Sequence, residues 1–153
     1  MHLAELNIGR LRHPLGDRRA AGFFNNLDRV NEIGERMPGF DWRFTDPSGK
    51  ATLAQFGNDQ MIVPNLSVWE SVEALEKFVW QTVHADFYKM RAHWFEKSTK
   101  PNFVMWWVAE GHRPDLQEAI ERLAHYTDHG PSDFAFGWAE ARKAMLQHES
   151  QYS

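Results

Sequence analysis

Cysteine is absent from the 153-residue chain. That removes disulfides, thiol nucleophiles, iron–sulfur clusters and cysteine-ligated zinc, and it suits a reducing compartment. No apolar run approaches the roughly 18 residues that a bilayer-spanning helix needs. Met1-His2-Leu3 leads into strand-like sequence rather than a basic, apolar, small-residue signal pattern. A cytoplasmic, soluble protein with no membrane partner is expected. Positive charge is also scarce: the net charge is −4, and basic residues gather only in short clusters around Arg10–Arg12 and Arg18–Arg19. A nucleic-acid binder carries a basic patch or stripe, so no nucleic-acid partner is expected. Neither a glycine-rich phosphate loop nor a Gly-x-Ser-x-Gly elbow occurs.

Aromatic residues are abundant, with seven Trp and eleven Phe. At that density they fill a core, line an apolar pocket or cover a subunit interface. Hydrophobic residues make up 42% and charged residues 25%, which places the chain among folded globular proteins rather than disordered ones. Its length suits one domain.

Periodicity orders the elements. Residues 2–10 alternate Leu3, Glu5, Asn7 and Gly9 with Ala4, Leu6 and Ile8, a strand with one apolar and one polar face. Asp17 is placed to cap a helix carrying Phe23, Leu27, Val30, Ile33 and Met37, which Pro38-Gly39 stops. Phe40, Trp42 and Phe44 alternate with Asp41, Arg43 and Thr45 in a second strand. Asp46-Pro-Ser-Gly49 reads as a turn and Lys50–Asp59 as a loop. Strand three runs from about Met61 to Trp69, and Pro64 puts it at an edge or beside a bulge. Ser71 caps a helical pattern that continues to Trp94, with a break near Gln81–Thr82. Phe103–Val108 is a fourth strand, and Gly111-His-Arg-Pro114 opens a further helix that ends before Gly130-Pro131.

The order is β-α-β-β-α-β, the split βαβ or ferredoxin-like plan. We therefore expect an α+β domain over 1–138, an antiparallel sheet with helices on one face, and a C-terminal helical extension over 139–153. The apolar set Leu6, Ile8, Trp42, Phe44, Leu66 and Val68 is expected to meet the helices. The opposite set, Glu5, Asn7, Arg43, Asn65 and Ser67 with Trp69, is too apolar at its Trp69 end for a solvated surface. A face of that mixed kind suggests a dimer interface or a pocket.

Asn65-Leu-Ser-Val-Trp69-Glu-Ser-Val-Glu-Ala-Leu75, followed by Phe78 and His84, resembles the antibiotic-biosynthesis-monooxygenase branch of the dimeric α/β-barrel superfamily. His2-Leu-Ala-Glu-Leu-Asn7, His84-Ala-Asp-Phe87, Arg91, Trp94-Phe95 and Trp106-Trp107-Val-Ala-Glu-Gly-His112-Arg-Pro114 more narrowly resemble a bacterial domain-of-unknown-function family, number 3291. The broad resemblance implies a homodimer, with two protomers packed sheet on sheet. It also implies a pocket between sheet and helices or inside the barrel, holding a small aromatic or polycyclic ligand. In cofactor-independent monooxygenases of this superfamily an Asn, a Trp and an Arg assist oxygenation, and Asn65, Trp69 and Arg91 match those residue types. An Asn amide donates to a developing oxyanion and an Arg holds an enolate or phenolate.

His84, Phe87 or Tyr88, and Arg91 follow i, i+3/4, i+7 spacing and so share a helix face, with His84 and Arg91 about 10 Å apart along the axis, as a base and an anion holder. The expected catalytic residues are thus Asn65, His84 and Arg91, with Asn7, Arg43, Ser67, Trp69, Phe87, Trp94 and Trp107 lining the substrate site and no metal or cofactor required. The alternative within the resemblance is a haem protein with His84 as iron ligand; Asn7 matches the strand-one Asn of haem-degrading relatives, but Phe78 and Tyr88 stand where those carry Trp and His. A third reading is a non-catalytic ligand-binding or interaction protein whose interior is filled by Trp69, Trp106 or Trp107. His125 and His129, four apart beside Asp128, lack a third ligand and read as a solvated helix end.

Overall fold

The computed structural model describes residues 1–152; Ser153, the last residue of the expected C-terminal extension, lies outside them. Strand β1 (His2–Arg10) is central because it pairs on both sides. It runs antiparallel to β3 (Ile62–Trp69) with Leu3 opposite Trp69 and Asn7 opposite Asn65, and antiparallel to β4 (Phe103–Val108) with Glu5 opposite Met105. The short β2 (Phe40–Arg43) joins β3, with a bulge between Phe40 and Trp42, so the sheet order is β2-β3-β1-β4. That is the ferredoxin-like order expected from the sequence. β3 is an inner strand, not the edge or bulged strand expected from Pro64; the proline is tolerated because the β2 ladder ends at Arg43 opposite Ser67, short of its missing N–H.

Because paired residues project to the same side of a sheet, the register defines two faces. The odd face carries Leu3, Glu5, Asn7, Asn65, Ser67, Trp69, Phe103, Met105 and Trp107. The even face carries Ala4, Leu6, Leu66, Val68, Val104 and Trp106, none more than 1% exposed. Helices α1 (Ala21–Arg36) and α3 (Val72–Gln81) cover the odd face. There Trp69, Val72, Leu75 and Leu3 form one core with Met37 and Phe78 packed on it. Helix α6 (Leu116–His129) covers the even face through Leu116, Ala119 and Leu123.

Helices on one face were expected; there are helices on both, and the two faces exchange roles. Leu66 and Val68 meet α6, whereas Ser67 and Trp69 lie under the helices that follow β1 and β3. The reason is composition: the odd face has its own large apolar end in Leu3, Met105, Trp69 and Trp107, and the even face is apolar throughout, so water is unfavourable on either. The odd face, on which a dimer interface or a pocket was expected, lies under helices of this chain, and the even face is closed by α6.

Three local differences have clear causes. Lys50–Asp59, expected as a loop, contains α2 (Lys50–Gln55); Gly49 enters it at φ +72° and the Asp46 carboxylate accepts from Thr52 N at 2.9 Å and Thr52 Oγ1 at 2.7 Å. The pattern from Ser71 to Trp94 is three segments, α3, α4 (Val83–Lys89) and α5 (Arg91–Trp94). At the expected break the Thr82 hydroxyl donates to Phe78 O at 2.6 Å and accepts from His84 N at 3.2 Å, ending one helix and capping the next. The C-terminal segment is not a loose tail. Phe136 exchanges two backbone hydrogen bonds with Met105 at 2.8 and 2.9 Å, and α7 (Trp138–Tyr152) brings Ala141 and Met145 into the odd-face core.

Gly39, at φ +88°, sits where a Cβ would come within 2.5 Å of Ala74 Cβ, so the α1–β2 turn and α3 touch through a missing side chain. Gly49, at φ +72°, has nothing within 4 Å. Both substitutions to Ala incur the left-handed backbone cost of about 1 kcal/mol, but only Gly39→Ala adds a clash. Urea denaturation is expected to place Gly39→Ala below Gly49→Ala by about 1–3 kcal/mol; equal losses would show that α3 does not press on the turn.

Candidate active site

Glu5 is the one buried charged side chain among the described residues, at 6% exposure, and Ser67 beside it is 5% exposed. The register sets them opposite each other on the odd face, with Met105 on the other side of Glu5. Ser67 Oγ donates to Glu5 Oε1 at 2.6 Å and accepts from Trp69 Nε1 at 3.0 Å. Trp69 is 1% exposed, stacked on Phe78 at 5.2 Å and edge-on to Phe40 at 5.3 Å. Its indole fixes the serine, and the serine fixes the acid.

Burial pushes the Glu5 carboxyl up to about 8, with the Ser67 hydrogen bond opposing only part of that rise. At neutral pH the group is mainly the neutral acid. Since Oε1 accepts from Ser67, the acid proton belongs on Oε2. Among the described residues Oε2 has no hydrogen-bond partner, yet the sealed, unpartnered side-chain atom of the chain is His125 Nδ1, so Oε2 retains contact with solvent-accessible space.

One pair further along the same face stand Asn7 and Asn65, opposite each other and both exposed. They share the face on which Leu3, Glu5, Ser67 and Trp69 are buried, so the cover over this face is interrupted above them and leaves an opening over the sheet. Rings border it. Phe103, next to Asn7 on β4, stacks on Trp138 at 5.8 Å with planes 7° apart. Past Asn7 the ring of Phe95 lies so close over Gly9 that a Cβ there would come within 2.6 Å of it. On the other side Phe78 covers Trp69 and carries His84 at 4.9 Å.

The structure therefore brings Asn7, Asn65, Ser67 and Trp69 together, as expected, although Trp69 is too deeply buried to stack on a ligand. His84 joins the group only through Phe78. Its Nδ1 lies 3.2 Å from Val79 O, and burial pulls its pKa below the usual histidine value, so it is a neutral imidazole at pH 7. Arg91 does not join. The break at Met90 takes it off the face of His84; it donates to Tyr88 O at 3.0 Å and lies 3.9 Å over the Tyr88 ring. Arg43 shares the odd face but pairs with Glu35 of α1 at 2.9 Å. Trp107 packs on Phe136 at 5.7 Å, while Trp106 donates to Glu118 Oε2 at 2.9 Å under α6. Phe87 and Trp94 pack together at 4.9 Å and line a groove between α1 and α4 rather than the opening.

Haem requires a ligand histidine at the edge of a broad cavity. His84 borders neither the groove between α1 and α4 nor the smaller one beside α2 and β3, and its ring is flanked by Phe78 and Phe87. The residues around His84 do not fit the macrocycle. Among the described residues no three His, Asp or Glu gather as a metal site, and no helix is long and apolar enough to cross a membrane. Glu5 was missed as a site residue; its signal was a lone carboxylate in the middle of a strand that is apolar on both sides, between Ala4 and Leu6.

The raised carboxyl carries a pH dependence with a definite sign. From the unfolded value of 4.5 up to about 8 the native state holds a proton that the unfolded chain has lost. Stability therefore falls as pH rises through that window, by up to about 1.4 kcal/mol per pH unit, and levels above it. His84, with its lowered pKa, acts in the opposite sense at the acidic end, so the comparison with Glu5→Gln isolates the carboxyl. Urea denaturation between pH 5 and pH 9 is expected to show Glu5→Gln gaining on the parent by a few kcal/mol. A constant difference across that range would mean that the acid ionises as freely in the native state as in the unfolded one.

Comparison with known proteins adds the following. No curated protein matches the chain. The crystal structure of SnoaB, a cofactor-independent oxygenase from Streptomyces nogalater, aligns with 74% of this chain and 98% of that one, at 13% sequence identity and a TM-score of 0.47, a likeness that transfers no residue role. The family described as Domain of unknown function (DUF3291) matches residues 2–151, nearly the full length, and the chain belongs to that family.

Proposed function

We propose that the opening over Asn7 and Asn65 binds a small aromatic or polycyclic molecule, and that the protein acts on it as a cofactor-independent, monooxygenase-like enzyme. The observation that carries the reading is a pair of exposed amides on a sheet face that is otherwise buried or half-buried, backed by a neutral carboxylic acid. Aromatic walls favour a flat apolar body. Asn7, Asn65 and the Glu5 O–H supply three neutral donors to an oxygen that gains negative charge, without the repulsion an ionised carboxylate would bring. His84, neutral at pH 7, is the base in this reading; it packs on Phe78, which stacks on Trp69 at the buried end of the same face.

The reaction these groups suit starts at a methylene between two aromatic rings that conjugate it to a carbonyl, as in an anthrone. Loss of one C–H proton gives an enolate held by the amides. Dioxygen then adds one oxygen atom to that carbon, and the second leaves as water with the two hydrogens removed, so CH2 becomes C=O. Isomerisation would use the first step alone, returning the proton elsewhere on the same molecule. Arg91 has no part in this scheme because it is engaged at Tyr88.

Anthrone is a suitable probe, with tryptophan fluorescence reporting binding and oxygen uptake reporting turnover. Asn65→Ala and Asn7→Ala are each expected to lower kcat/KM by at least about tenfold, the value of one lost hydrogen bond to a charged oxygen. Their urea midpoints should stay within error of the parent, since both residues are exposed. Binding without oxygen uptake would favour the non-catalytic reading, and binding that ignores both substitutions would remove the site from this face.

A further inference from the structure

The groove between α1 and α4 holds about 530 Å³ and belongs to a different part of the molecule from the opening over the sheet. Gly22, Asn26, Arg29 and Val30 line it from α1, Asp86 and Phe87 from α4, and Met90 and Trp94 from the segment that follows. Its volume falls within the range of small-molecule sites.

Two polar groups face it without partners. Trp94 is 8% exposed as a residue, yet its indole N–H is not sealed and meets no acceptor among the described residues, which leaves it open to the groove. Arg29 is exposed and makes no ion pair or hydrogen bond among the described residues, unlike Arg10, Arg19, Arg36, Arg43 and Arg142. Beside Trp94 lies Gly22, a residue that disfavours the interior of a helix. A Cβ at that position would come within 3.2 Å of Trp94 Nε1, so glycine keeps the space beside the indole N–H open. Asn26, also in the lining, donates its side-chain amide to Gly22 O at 2.7 Å.

We infer that this groove is a second binding site, for a small monocarboxylate with an apolar or aromatic body. The carboxylate takes the indole N–H of Trp94 and the guanidinium of Arg29, and the body lies on Phe87, Val30 and Met90. Charge sets the class. Arg29 attracts an anion, while Asp86 at the rim, 3.8 Å from Lys89, disfavours a second negative charge on the ligand. Phe87 and Trp94, read from the sequence as part of the sheet-face site, thus serve a pocket of their own between α1 and α4.

Titration calorimetry of the full chain with 2-naphthoate tests this, with 2-naphthamide and naphthalene-2,6-dicarboxylate as neutral and doubly charged controls. Naphthoate is expected to bind with a Kd below about 1 mM, and each control at least about tenfold more weakly. Arg29→Met and Trp94→Phe should each weaken naphthoate by about tenfold or more. Gly22→Ala should block it while leaving the fold intact, because alanine is the better helix former. Asn65→Ala should leave it unchanged, which separates this site from the one over the sheet. No binding at about 5 mM, equal affinity for the amide, or affinity that falls in Asn65→Ala but not in Arg29→Met would overturn the assignment.

Discussion

The central strand β1 has to be covered on both sides, and most of the architecture follows from that demand. Its even-face residues Ala4 and Leu6 are fully buried, and so is Leu3 on the odd face. A strand of this kind is stable only inside a three-layer sandwich. The β-α-β-β-α-β core supplies one layer through α1 and α3. The segment after β4 supplies the other, with α6 reaching across the even face before α7 returns to pack on α3. The C-terminal third of the chain is thus part of the core and not an appendage.

Where the odd-face cover stops, the chemistry changes. Along one strand the side chains pass from Leu3, sealed, to Glu5, buried but polar, to Asn7, exposed. The carboxyl at the middle position is unfavourable when ionised, because the desolvation it would suffer exceeds what one serine hydroxyl returns. A glutamine would fill the same space without that penalty. An acid kept there at a cost to stability, next to two open amides, is the arrangement expected of a functional residue rather than of a packing one.

Much of the fold was legible in the sequence. Period-two alternation in β1, β2 and β3, the Ser71 cap, the Pro38-Gly39 stop and the aromatic fourth strand led to the correct strand order. What alternation cannot convey is which of two partly apolar faces goes under which helices. Leu6 and Leu66 looked like the inner side because they are uniformly apolar, but the uniformly apolar face was the one α6 needed, and α6 lies far along the chain. Asn7, Asn65 and Ser67 were found because cross-strand register follows from strand order. Arg91 was misplaced because a helical period was carried through two breaks. The Thr82 break had a visible signal in a residue that caps well, whereas Met90 offers none.

The exchange of two backbone hydrogen bonds between Met105 and Phe136 bears on how the molecule coexists with its own copies. A sheet ends in strands whose free N–H and C=O groups invite pairing with another chain, and folded proteins blunt those margins. Here the β4 margin is occupied at its centre by Phe136, and the β2 margin is four residues long and bulged. Neither offers a straight run on which a second sheet could grow. A chain rich in tryptophan and phenylalanine, which would otherwise be prone to edge-to-edge aggregation, therefore carries its safeguard in the geometry of its two outermost strands.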